Sequence, residues 1–169
     1  MKKPFVAISL FFAAALINSR CNKSGSELVP LNVKLTDGPG DYQEVNVDLQ
    51  GVEVNFRNDT TSWISLSTKT GIYNLLQLQN GLDTLIAEAT LPTGTINEVR
   101  LILGDSNSIK VNDTTFPLSI PSGAESGLKI KVNQPLEPFQ TLIVDFDAGL
   151  SVNQIDSSTY KLNPVLKLK

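Results

Sequence analysis

The chain has 169 residues, a formal net charge of −3, one cysteine and no histidine. Without imidazole there is no Ser-His-Asp triad and no zinc site built from Cys and His, and the commonest general base at neutral pH is missing; one thiol forms no internal disulfide. Beyond residue 20 the balance is 11 basic side chains against 17 acidic ones, which argues against nucleic acid and against electrostatic adhesion to anionic lipid.

In chain order, "MKK" supplies a positive start, and Phe5 to Ile17 follow as thirteen residues broken only by Ser9. A helix needs about 20 apolar residues to cross a bilayer, so this run has the length of a secretory signal instead. It resembles a bacterial lipoprotein signal, in which a peptidase cuts just before a cysteine that then receives lipid. Ser19 fits that pattern, whereas Asn18 and Arg20 depart from the Leu and the small residue it prefers. Residues 1–20 are therefore expected to be a signal peptide, Cys21 the lipid attachment point, and 21–30 a polar, flexible tether. The alternative is an ordinary secretory signal cut elsewhere, which leaves Cys21 as a free thiol in an oxidising compartment.

From Leu31 onward the dominant period is two. "LNVKLT", "VNVDL" and "VEVNF" alternate apolar and polar residues, and "SWISLS", "EVRLIL", "SIKV", "FPLSI", "GLKIKV", "TLIVDF" and "YKLNPVLKLK" follow. Each is short, rich in branched residues and bounded by Gly, Pro, Asn or Asp. The expected fold is all-β, an antiparallel sandwich of about nine or ten strands over residues 31–169, with at most one short helix in "YNLLQLQNG" or "LDTLIAEA". Phe56, Phe116 and Phe146 fall in phase with their aliphatic neighbours, and Trp63 is expected in the core. Tyr42 is expected to serve the turn "TDGPGDY", where Pro and Gly set the angles.

An ordered set of segments, "LTDGPGDYQEVNVDLQGVEV", "NLLQLQNG", "LPTGTINEVRLILGDSNSI", "PSGAESGLKIKV" and "VDFDAG", resembles the bacterial domain of unknown function 4382 family. Ile96 stands where that family's turn usually carries an aromatic. The resemblance implies a secreted or lipid-anchored protein with an immunoglobulin- or transthyretin-like sandwich, and it implies no activity.

Candidate site residues are few. Asp145 and Asp147 share one face of a strand, while Asp37 and Asp41 flank a tight turn, with Asp105 in "GDSN". Brought together, such carboxylates could hold Ca2+, an ion that takes 6 to 8 oxygen ligands; the alternative is a set of turn acids accepting local backbone N–H groups. Paired carboxylates could also serve a small glycoside hydrolase, but no pair stands out from surface acids. Trp63 and Tyr42 could stack on a glycan. Thr60, Thr84 and Thr114, in "DTT" and "DTL", resemble an O-glycosylation signal of some Gram-negative bacteria.

The expected function is a non-catalytic, lipid-anchored protein of a Gram-negative cell envelope. It would bind a membrane through its anchor and display a β-domain for binding or assembly toward an unknown protein or glycan partner, with a Ca2+-dependent or glycan-binding surface module as the alternative.

Overall fold

The computed structural model describes residues 27–56, 62–121 and 127–169. The expected signal peptide, Cys21, most of the expected tether, Thr60 and the centre of the "PSGAESG" turn lie outside these residues. Fourteen strands occur among the described residues: β1 (Leu28–Thr36), β2 (Glu44–Asn55), β3 (Trp63–Ser65), β4 (Ser67–Thr68), β5 (Gly71–Asn74), β6 (Thr84–Pro92), β7 (Thr95–Leu103), β8 (Ser108–Val111), β9 (Thr114–Ser119), β10 (Leu128–Pro135), β11 (Gln140–Phe146), β12 (Val152–Gln154), β13 (Tyr160–Leu162) and β14 (Leu166–Leu168). Seven of them span four residues or fewer, too few for a period of two to stand out, which is why about nine or ten were legible. Among the described residues, no helix is long and apolar enough to cross a membrane.

The strands form two mixed sheets arranged as a sandwich. One has the order β14-β11-β1-β6-β4; the other runs β10-β7-β2-β8-β9-β13-β12, with β3 and β5 also paired to β2. The alternation read from the sequence becomes the burial pattern. Leu31, Val33 and Leu35 of β1 and Val45, Val47, Val52 and Val54 of β2 are all 1% exposed or less, and they share one hydrophobic core with Ile86, Val99, Leu101, Ile109 and Val144. Residues at even spacing point to one face, so two such faces bury each other.

Not all pairing is antiparallel. β1 runs parallel to β11, with Leu31 opposite Gln140 and Thr36 opposite Asp145, and β13 runs parallel to β9. A parallel pair needs a long crossover, and the chain supplies one by building most of the second sheet between β1 and β11.

β1 begins at Leu28, inside the stretch expected as tether. Val29 is 1% exposed and sits opposite Leu91, and the Glu27 carbonyl accepts the Thr93 N–H at 2.9 Å. Pro30 is exposed within the strand.

The two helical pieces divide the expectation. A 3-10 turn covers Leu75–Leu78 within "YNLLQLQNG", its N-cap Asn74 accepting the Leu76 N–H, while "LDTLIAEA" is extended in β6. The α-helix, α1 (Ala148–Ser151), follows β11 directly.

Among the aromatics, Phe146 is fully buried, whereas Phe56, Phe116 and Tyr42 are half-buried against the core, and Ile96 is fully buried. Trp63 is not a core residue. It is half-buried on β3, with the Arg100 guanidinium 4.2 Å and the Lys129 ammonium 5.7 Å from the ring centroid. Arg100 also pairs with Glu53, so the indole lies beneath cations rather than among aliphatic side chains.

Phe146→Ala should lower stability by about 3–5 kcal/mol through lost transfer energy and the cavity left behind. Urea unfolding should show a lower midpoint at an unchanged slope.

Candidate functional site

The acidic motifs "DGPGD" and "VDFDAG" meet where β1 and β11 end. Thr36 Oγ1 donates to the carbonyls of Leu82 (2.7 Å) and Leu78 (3.0 Å), which ties β1 to the segment around the 3-10 turn. Asp37 is 2% exposed; its Oδ1 accepts the Ala148 N–H at 2.8 Å, its Oδ2 accepts from Gln79 at 3.3 Å, and its own N–H donates to Leu78 O. Asp147 caps α1 by accepting the Leu150 N–H at 3.0 Å.

Glycines let the two loops touch. A Cβ on Gly149 would stand 2.7 Å from the Pro39 carbonyl oxygen, and one on Gly38 would stand 3.2 Å from Asp147 Oδ2. The backbones therefore approach more closely than side chains would allow.

Burial raises the pKa of Asp37 above the ordinary Asp value, with the nearby Asp147 charge a minor contributor in the same direction; the Ala148 and Gln79 hydrogen bonds oppose the rise. Both acids thus act on backbone N–H groups. Asp145 lies apart from them. It is 1% exposed, and its Oδ2 receives Lys169 at 3.2 Å and Lys167 at 3.3 Å. Asp41 and Asp105 are exposed. Among the described residues, no group of three or more His, Cys, Asp or Glu side chains is arranged to hold a metal ion, so the four carboxylates do not converge on one cation.

Of the described threonines in the sugar-acceptor motifs, Thr114 is exposed and Thr84 is half-buried in β6. The second "NDTT" is a tight hairpin. Asn112 and Asp113 have φ of +48° and +62° between the paired residues Val111 and Thr114, the geometry of a two-residue turn matched to strand twist.

A groove of about 480 Å3 opens on the second sheet, between the β7–β8 loop, β9 and the approach to β13. Its lining includes Asp105, Asn107, Ser119, Ser158, Thr159 and Tyr160. This volume lies in the range of small-molecule sites.

The β7–β8 wall is fixed by Asp48 of β2, which is 8% exposed. The Asp48 N–H donates to Asn107 Oδ1 at 2.8 Å, its carbonyl accepts the Gly104 N–H at 2.8 Å, and its Oδ2 accepts the Ser106 N–H at 3.2 Å. Asn107 Nδ2 in turn donates to the Gly104 carbonyl at 2.6 Å. A Cβ on Gly104 would run into the Asp48 carboxylate.

The opposite wall is set by Asp156, whose Oδ1 accepts the Ser158 N–H at 2.9 Å; that bond, with help from Thr159, holds its pKa below the ordinary value. Tyr160 closes the floor, its ring 5.2 Å from that of Phe116. The groove thus presents the exposed hydroxyls of Ser119, Ser158 and Thr159 and the Asp105 carboxylate, with Asn107, Leu118 and Tyr160 buried behind them. That combination suits a polar ligand rich in hydroxyl groups.

Sequence reasoning missed this groove because its anchor, Asp48, looks like any outward residue of an alternating strand. The signal available was "LGDSN", in which a glycine precedes three side chains that bond their own backbone readily.

Asp37→Ala should cost about 1–3 kcal/mol by orphaning the Ala148 N–H, and Asp37→Asn should cost less. A raised pKa in the folded state means that the group's favourable contribution is complete below the unfolded value of about 3.8 and is lost as pH rises through the folded value. Wild type should therefore gain stability relative to Asp37→Asn as pH falls from 7 toward 4 in paired urea titrations. A constant or shrinking difference would contradict the buried carboxylate.

Comparison with known proteins is consistent with the interlocked motifs. No curated protein and no solved structure matches the chain. The model of one family, described as a domain of unknown function (DUF4382), matches residues 29–164, a span that runs from the first buried residue of β1 to just before β14. The chain belongs to the DUF4382 family.

Proposed function

We propose that the protein is a non-catalytic, lipid-anchored component of a Gram-negative cell envelope, held by acylated Cys21 and displaying its sandwich as a binding module. The observation that carries this reading is the short distance along the chain from the lone thiol to the fold. β1 starts at Leu28, seven positions after Cys21. Seven residues reach at most about 25 Å, so a lipid on that sulfur holds the domain against the membrane surface. More than one acyl chain is required for stable anchoring, and the multiply acylated cysteine of lipoproteins supplies them.

The groove favours a glycan as the displayed ligand over Ca2+, since its exposed lining offers the hydroxyls of Ser119, Ser158 and Thr159 with the one carboxylate of Asp105 rather than a cage of carboxylates.

Cys21→Ser should abolish incorporation of radiolabelled palmitate, and equal labelling of the variant and the parent would overturn the anchor. For the groove, a thermal-shift panel of neutral oligosaccharides should find one that at 100 times its Kd adds about 2.7 kcal/mol of stability. Asp105→Ala, at an exposed position of the lining, should weaken that shift.

A further inference from the structure

At the end of the first sheet where the chain enters the fold, two apolar side chains stand in solvent. Leu28 is 65% exposed and Phe139 is 84% exposed. They belong to one surface, because β1 and β11 run parallel with Leu31 opposite Gln140, which sets Phe139 level with Pro30, two residues from Leu28. Neighbouring strands lie about 4.8 Å apart. Pro92, opposite Leu28, and the exposed Pro30 and Pro138 complete this rim.

Phe139 is held there against its own preference. Its φ is +62°, a left-handed backbone that glycine adopts freely and an aromatic residue does not. Pro138 precedes it, so the pair occupies the central positions of a turn that usually places Gly second. The ring gains almost no burial in return. A strained, solvent-facing aromatic is an outlier from which function can be inferred.

The occupant of this rim follows from where the tether enters. Leu28 lies seven positions from Cys21, within about 25 Å. The far end of β1, at Thr36, is about 26 Å further from that entry at 3.3 Å per residue. We infer that the Leu28–Phe139 rim rests on the bilayer that holds Cys21, with the Phe139 ring seated among the headgroups as a second, non-covalent contact. This inference deepens the anchor reading above and rests on it. The exposed Glu27 and Glu137 flank the rim, so the surface it fits is zwitterionic phospholipid rather than a strongly anionic leaflet. In that seat the groove and the sandwich body stand clear of the lipid, and the cost of the left-handed Phe139 is offset by burial outside the protein.

The test uses the full chain in membranes of a Gram-negative host, with a fluorescent thiol label placed by Phe139→Cys or, as the control, by Leu82→Cys. Leu82 is 61% exposed and sits at the opposite end of β1, where its carbonyl accepts from Thr36. Unsubstituted protein corrects for any label on Cys21. A lipid-borne nitroxide should quench the label at 139 at least threefold more than the label at 82. Equal quenching, or recovery of the protein in the soluble fraction, overturns the membrane seat. Intact mass of Cys21 from the same sample decides the acyl anchor separately: a bare sulfur would remove the anchor, while the quenching contrast would still decide the seat. Because Phe139 packs against almost nothing, Phe139→Cys should melt within about 3 °C of the parent, so loss of contrast is not loss of fold.

Discussion

The Asp37 carboxylate holds together parts of the chain that are 111 residues apart, and the arrangement of this sandwich depends on that bond. β1 and β11 can run side by side in parallel only if what leaves each strand turns away without colliding. Asp37 takes the Ala148 N–H, Thr36 takes the carbonyls beyond the 3-10 turn, and glycines at 38, 40 and 149 permit the close approach. A buried carboxylate is expensive unless its oxygens are hydrogen-bonded. Here they are, to the Ala148 N–H and the Gln79 side chain, and these bonds offset part of the desolvation cost, which still raises the Asp37 pKa.

The same use of carboxylates recurs among the other described acids. Asp37 and Asp147 each serve a backbone N–H, Asp145 is covered by Lys167 and Lys169, and Asp48 ties down a loop. Asp37, Asp41, Asp145 and Asp147 read in one dimension as a ligand set. In three dimensions Asp37 and Asp147 serve backbone N–H groups, Asp145 pairs with lysines and Asp41 is exposed.

What was legible in the sequence follows the physics of each signal. Val45 with Val47, and Val52 with Val54, announced two half-buried runs by their period of two, while the register shift between Leu49 and Gly51 that joins them in one strand was not legible. The parallel placement of β1 beside β11 was not legible, since strand order depends on contacts distant in sequence. Short strands such as β4 and β13 carry too few residues to show a pattern. Trp63 misled because an aromatic amid aliphatic residues suggests a core, while its actual partners, Arg100 and Lys129, lie on β7 and β10 and could be found only once the sheet was assembled. Of the groove, the "GDSN" loop was visible as a loop. Its attachment to Asp48 was not, and nor was the convergence with Ser158 and Tyr160.

The outer rims of the two sheets have a consequence for how copies of this protein tolerate one another. β4 has two residues, β12 and β14 have three each, and β10 is interrupted by a register shift at the left-handed Asn133, displays Lys129 and Lys131, and stops at Pro135. An unpaired strand is a template for adding another, and brevity, bulges, lysines and proline each spoil that template. Neighbours crowded together therefore meet short or interrupted borders in place of long open hydrogen-bonding ladders, which disfavours sheet-to-sheet addition.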